Sequence, residues 1–534
     1  MPALFQTKVN PILLDITLLL ARWRIEDTTP SRYAAMLHFL YLWMWDAKNP
    51  ETFPRSTAMD FMDWAESEKR DLRAVCLTGC VLLALRYNEN IPSCMEERLQ
   101  QWTNNDVIKT ELIEVQKFLL NTIFGQQLQK RMELKLKEKI EREQQIIRDK
   151  LGVAEDEEIR EEITQEGERR IQHYIQKIGG MVKDGLDLNI ATFATVARTD
   201  HFKTLRNWLA EFHSSRVPLG LTGKEEKTAR GVLAHIEMCD LDKYAISHMF
   251  MQPPKFGIIT QMLPNALLSA VEKEDETLWD KQEQENINSN AYRYAMQNFY
   301  RLFCFSPWRK DMVNPFSQAF FVSDCPTLSP LISDQFLWDI ANVLIRLSLW
   351  SHPAVYLRSW MHRNGETDEA LRLLALCDKH NGDTAERLRC LMELECRNPE
   401  DLKVVQETGI CLIQEKRYNE ALQRFFHLEL SETHLHSSAR AIAWCSMLSG
   451  NMERAKRYYK KLLHWEGGPS WEDILNAGHC AWLSGNPVEA SQLYRKYLAL
   501  KDDDLKAWDN DESVLLSLGL EEEDISLMRE TITK

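Results

Sequence analysis

Between residues 401 and 500 one pattern recurs: Tyr418-Asn419-Glu420-Ala421 followed by Phe425, Met452-Glu453-Arg454-Ala455 followed by Tyr459, and Val488-Glu489-Ala490 followed by Tyr494. The alanines lie 34 and 35 residues apart, and each stands four residues before its ring. A spacing of four puts the small residue and the ring on one face of a helix. Self-similarity at a fixed period of this length marks a stacked repeat, in which each unit buries its apolar face only against its neighbours. Twelve residues before the alanines stand Gly409, Ala443 and Gly478, a second set of small residues at the same period. The connecting turns are expected at Lys416-Arg417, Gly450-Asn451 and Gly485-Asn486.

This combination resembles the tetratricopeptide repeat, a helix-turn-helix unit of about 34 residues. The resemblance implies an α-solenoid over residues 333–534, clearest over 401–500, with a degenerate earlier copy over about 368–398 that carries Glu369-Ala370 and ends at Pro399 in the family's repeat-closing place. Residues 336–360 are expected to extend the array, and residues 512–531 to supply its polar cap. The family's usual tryptophan near the start of each repeat is missing, which leaves the repeat borders open by a few residues.

Solenoids of this family bind extended peptides or helices along the groove formed by the first helix of each pair. On that register the resemblance places Gln406 and Ile410 from one repeat, Arg440 and Trp444 from the next, and Glu472, Asn476, His479 and Trp482 from the last along the groove. Each of these has packing or simple exposure as its competing reading, because an aromatic at helical spacing is commonly core. Some relatives grip a C-terminal carboxylate with Lys, Asn and Arg at set positions. Here those positions read Gln406, Ile410, Ala441, Glu472 and Asn476, so the carboxylate clamp is absent. The mixed polar and aromatic groove suits an apolar or basic peptide.

Upstream, apolar residues fall in helical blocks over 12–25, 33–45, 61–68 and 72–87, with Pro11 and Pro30 where helices start. The run AAMLHFLYLWMW is apolar all round and predicts a helix buried on every side. Residues 1–104 thus read as an N-terminal helical domain. Residues 105–181 read as a long charged antiparallel hairpin, coiled-coil-like, with its turn at Gly152. Residues 130–150 hold eight basic and five acidic side chains, residues 151–168 one basic and eight acidic, so folding one arm on the other pairs opposite charges. Such exposed pairs contribute only about 0.3–0.5 kcal/mol each and would set register more than stability. The arm is also a candidate for self-association.

Residues 182–332 read as a helical middle region, in which the polar run 272–290 is expected to be an exposed loop or linker. The pieces LNIATFATVARTDHFKTLRNWLAEF (188–212) and 298–316 resemble segments of uncharacterised bacterial tetratricopeptide-repeat proteins, which supports the architecture and implies no activity.

The 534 residues carry 65 Lys+Arg against 80 Asp+Glu, a net charge of −15, which argues against nucleic acid or an anionic membrane as the main partner. Asp15 interrupts the apolar N-terminal run, so no secretory leader is expected, and the longest apolar stretch elsewhere is too short to span a bilayer. The twelve cysteines lack any Cys-x2-Cys pair and read as reduced core thiols of a cytoplasmic protein.

Chemical motifs fail on inspection. Gly220-Leu221-Thr222-Gly223-Lys224 lacks the phosphate loop's leading glycine, replaced by Pro218, and its Ser/Thr, replaced by Glu225. His235-x-Glu237 with Cys239 lacks the downstream ligands of a zinc deaminase. His434-Leu435-His436 and His479-Cys480 have no partners at tetrahedral spacing. The sequence thus reads as an all-α, non-enzymatic scaffold for a protein or peptide partner, with no cofactor and no metal; the alternative is an enzyme whose site lies in the body over 188–330, with the repeats recruiting substrate.

Overall fold

The structure is a computed structural model that describes residues 11–125, 187, 190–251, 265–273, 275–431, 435–501 and 505–533, with isolated positions 138, 142, 145 and 169. The charged hairpin proposed for 105–181 lies outside the described residues beyond 125. Among the described residues every regular element is an α-helix or a short 3-10 turn, as the apolar periodicity predicts. None of these helices is long and apolar enough to cross a membrane. The chain forms two compact units, Met1–Ser348 and Leu349–Lys534.

In the first unit the helices are α1 (Pro11–Glu26), α2 (Arg32–Trp43), α3 (Arg55–Trp64), α4 (Arg70–Tyr87), α5 (Ser93–Gln101) and α6 (residues 106–125). There follow α7 (Ile190–Val196), α8 (Leu205–Leu209), α9 (Gly223–His235), α10 (Asp240–Phe250), α11 (Asn265–Lys273), α12 (Trp279–Ser289), α13 (Ala291–Phe305) and α14 (Asp334–Arg346). The all-apolar run becomes α2, buried along nearly its whole length, with its first turn capped by Ser31 Oγ accepting from the Ala34 amide. Gly79 of α4 lets the helices close: a Cβ there would stand 2.6 Å from Phe61 and 2.9 Å from Phe39. On its other side Phe39 meets Phe299 of α13 edge-on, 4.6 Å between centroids.

The polar run 272–290 corrects the sequence reading. It holds the end of α11 and the whole of α12, whose Trp279, Glu283 and Ile287 are buried, one helical turn apart. Glu283 is tolerated inside because Lys243 Nζ donates to it at 2.8 Å and Ser214 supplies both its hydroxyl and its amide at 2.9 and 3.0 Å.

The second unit begins with α15 (Ser351–Asn364) and continues as antiparallel pairs: α16 (Asp368–Asn381) with α17 (Thr384–Arg397), α18 (Leu402–Gln414) with α19 (Tyr418–Leu430), α20 (Leu435–Leu448) with α21 (Met452–Leu463), and α22 (Trp471–Leu483) with α23 (Pro487–Lys501). The last pair, α24 (Lys506–Ser517) and α25 (Glu522–Thr533), occupies the place expected for the cap. Each pair packs as the repeat pattern requires. A Cβ on Gly409 would lie 2.8 Å from the Phe425 ring, and one on Gly478 would lie 2.5 Å from the Tyr494 ring. Lys416, Gly450 and Gly485, at the three expected turns, all adopt left-handed φ of 59°, 80° and 77°. These stacked antiparallel pairs form an α-solenoid, as the period predicts.

Candidate functional site

The sequence placed a groove on α18, α20 and α22, the first helices of three successive pairs. On α18 and α22 small-residue packing fixes which face turns outward, since the glycine face is occupied by the partner's ring, Phe425 or Tyr494; on α20 Ala443 holds the corresponding position.

Gln406 and Ile410, one turn apart on α18, come together in a cleft of about 490 Å³ that Asp378, Thr384, Arg387 and Glu407 also line. Ile410 is 40% exposed, a large apolar side chain open to solvent. Arg387, on α17, is nearly buried and donates through Nη2 to Glu407 Oε2 at 3.0 Å. Trp444 on α20 and Glu472, Asn476 and Trp482 on α22 are each half-buried, with part of the side chain in solvent.

Two of the expected groove residues are engaged elsewhere. Arg440 forms a two-pronged pair with Asp473 of the next repeat, Nε to Oδ1 at 2.7 Å and Nη2 to Oδ2 at 3.0 Å, and Nη2 also donates to Ser470 Oγ at 2.8 Å. The Asp473 side chain is fully enclosed and lies 3.3 Å from His436 Nε2. Burial pushes the Asp473 carboxyl up, but the bonds from Arg440 and Ser470 outweigh it and hold the group below the usual carboxylate range. Arg440 therefore acts first as a brace between α20 and α22.

His479 corrects the register more sharply. It is fully buried, its Nδ1 hydrogen-bonded to the Tyr494 hydroxyl at 2.9 Å and its Nε2 standing 3.4 Å from Asp511 Oδ2 of the cap. Its side chain turns inward because Tyr494 must reach over Gly478, and the hydroxyl of that ring then needs a partner inside. It presents no atom to a ligand.

Three residues that line the cleft or pair with the expected groove residues were missed in sequence: Asp378, Arg387 and Asp473. Only Asp473 left a local signal, since Ser470-x-x-Asp473 forms a reciprocal capping box at the start of α22. Asp378 and Arg387 belong to the degenerate pair, where Arg387 stands 34 residues before Ala421 in place of the repeat's alanine.

In the first unit, buried charges are spent on one another. Arg301, fully buried, grips Asp242 through Nε and Nη2 at 2.6 and 2.7 Å and Asp187 through Nη1 and Nη2 at 2.8 and 3.0 Å. A cleft of about 660 Å³ is lined by Arg32, Glu68, Lys69, Arg70, Asp71 and Glu211, among others. His201 and His248 face each other 4.6 Å apart between ring centroids, and burial pushes both below the ordinary histidine range, His201 to about 4. Neither histidine lines that cleft, whose titratable groups are carboxylates and basic side chains.

No family model matches the sequence, and no curated protein matches it. Among solved structures, the chain is similar to MamA residues 41 to the end from Desulfovibrio magneticus RS-1 (13% identity, 32% of this chain and 96% of that chain, TM-score 0.29). It is similar also to a double mutant of MamA RS-1 (12% identity, 32% and 94%, TM-score 0.29). A third similar structure is a tetratricopeptide repeat protein from Parabacteroides merdae (17% identity, 48% and 97%, TM-score 0.26).

Proposed function

We propose that the chain is a non-enzymatic interaction scaffold whose repeats hold a peptide or protein segment along α18, α20 and α22. The observation that carries this reading is the run of partly exposed side chains on three successive first helices: Ile410 with Gln406, then Trp444, then Asn476, Glu472 and Trp482. Large rigid rings and an open isoleucine supply apolar contact area at small entropic cost, while Gln406 and Asn476 supply hydrogen bonds to an extended backbone. Glu472 and Glu407 favour a basic or neutral segment over an acidic one. Arg440 serves the groove indirectly, by fixing the spacing of α20 and α22.

Affinity purification of the full chain from its native cell, repeated with Trp444→Ala/Trp482→Ala and with Ile410→Ala, tests the reading. Partners held through the groove are lost from both variants while the variants keep wild-type helicity. Partner recovery at the wild-type level in both variants overturns it.

A further inference from the structure

Across the hairpin of α16 and α17, three potential ligand atoms converge: a carboxylate oxygen of Asp378, a carboxylate oxygen of Glu386 and Cys390 Sγ all lie within 4.8 Å of one another. Asp378 sits in the last turn of α16, and Glu386 and Cys390 sit four residues apart on the facing side of α17. Gly382, at φ 78°, makes the tight reversal that brings the two helix ends face to face. From this geometry we propose that Asp378, Glu386 and Cys390 form a binding site for a thiophilic divalent cation of the Zn²⁺ class.

A second observation points to a missing ligand. Asp378 is 1% exposed, and while its Oδ1 accepts from Arg358 Nη2 at 2.9 Å, its Oδ2 is buried with no hydrogen-bond partner. An unsatisfied carboxylate oxygen in the interior is costly, and a cation supplies what the protein does not. The donor set suits Zn²⁺, which takes Cys sulfur and carboxylate oxygen and leaves a fourth position for water when three protein ligands bind. Tetrahedral ligands stand ~3.3–3.8 Å apart, given metal–ligand bonds of ~2.0–2.3 Å, so only small side-chain rotations separate the present arrangement from a closed site.

The surrounding charges are compatible. Two carboxylates and a thiolate around a divalent ion leave one net negative charge, and the Arg358 and Arg389 guanidiniums flank it. Arg389 Nε donates to Glu386 Oε1 at 3.0 Å, Nη2 to Cys390 Sγ at 3.7 Å and Nη1 to Glu366 Oε1 at 3.0 Å. Its side chain is 44% exposed, so cation binding requires it to swing off Glu386 and Cys390 while keeping Glu366. The pair departs from its neighbours in sequence, since Arg387 stands in place of the repeat's alanine and Leu391 in place of its aromatic ring. The site shares Asp378 with the cleft that Gln406 and Ile410 line, but it rests on the three converging ligand atoms and not on the groove reading.

The test uses the full chain stripped with a chelator and then titrated with Co²⁺, with Zn²⁺ binding followed by equilibrium dialysis. One equivalent per chain, a thiolate-to-cobalt charge-transfer band displaced by Zn²⁺, and a melting temperature raised by Zn²⁺ are the expected results. Cys390→Ser should abolish the band. Glu386→Gln, at a half-exposed position that preserves shape and folding, should weaken binding by about tenfold or more. Cys396→Ser, which removes the exposed cysteine, should leave binding unchanged. Absence of a band, or a band that survives Cys390→Ser or Glu386→Gln or disappears in Cys396→Ser, overturns the proposal.

Discussion

Arg440 of one repeat closes on Asp473 of the next through two nearly parallel hydrogen bonds, at 2.7 and 3.0 Å, and thereby ties the first helices of successive pairs together. Removing the arginine leaves an enclosed carboxylate with Ser470 and His436 as its remaining neighbours. Arg440→Ala is expected to lower stability by about 2 kcal/mol, the scale of a lost charged hydrogen-bonding partner, measured by urea unfolding. The sign with pH follows from the depressed Asp473 pKa. Its stabilisation is full above the unfolded carboxylate value near 3.9 and is lost as pH falls through the lower folded value. The variant should therefore show a shallower acid loss than wild type below about pH 4.

Gly478 faces the ring of Tyr494, and that ring is pinned by its bond to His479. Alanine in place of a mid-helix glycine ordinarily gains about 1 kcal/mol. Here the added methyl would lie 2.5 Å from Tyr494 Cε1, and overpacking of that kind costs about 1–3 kcal/mol. Gly478→Ala should thus be net destabilising, and trimming the ring in Gly478→Ala/Tyr494→Leu should restore part of the loss. A melting temperature raised by Gly478→Ala alone would show that the ring is free to move.

What was legible in the sequence was local or periodic. Ala421, Ala455 and Ala490, the small residues Gly409, Ala443 and Gly478 twelve positions earlier and the three turns each follow from spacing within one unit, and the structure places them as expected. What was not legible depended on partners far along the chain. Glu283 made residues 272–290 read as solvated, because nothing nearby announces that Lys243 and Ser214 satisfy it from 40 and 69 residues away. The same holds for the groove: Arg440 and His479 carry the residue types of a binding surface, but Asp473 and Tyr494 claim them first. Polar side chains on a repeat face are read correctly only when the neighbouring repeat's acceptors are known.

His38 is enclosed between Trp23 and Trp64, at 4.9 and 4.6 Å between ring centroids, and its Nδ1 donates to the Ala34 carbonyl at 2.7 Å. Burial pushes it down to about 4, because the charged ring has lost its water. Below the unfolded value of about 6.5 the unfolded chain gains a proton that the folded chain refuses, so stability falls between pH 6.5 and 4, by up to about 3 kcal/mol. Replacing the imidazole in His38→Gln should flatten that segment of the stability–pH curve by about one proton. An unchanged slope would mean that His38 titrates normally in the fold.

Lys416 occupies the left-handed turn position that Gly450 and Gly485 hold in the following two repeats, with φ at 59° against 80° and 77°. Its amide bonds the Ile413 carbonyl at 3.0 Å and the next amide, of Arg417, bonds the Leu412 carbonyl at 2.8 Å, which closes the end of α18 whatever the side chain. The lysine side chain is exposed, so the turn keeps only the conformational cost of a Cβ at positive φ. That cost is about 1–2 kcal/mol, against a smaller loss from the greater freedom of glycine in the unfolded chain. Lys416→Gly should therefore raise stability by about 0.5–1 kcal/mol, read as a higher denaturation midpoint at unchanged slope, whereas glycine-to-alanine changes at 450 and 485 should lower it.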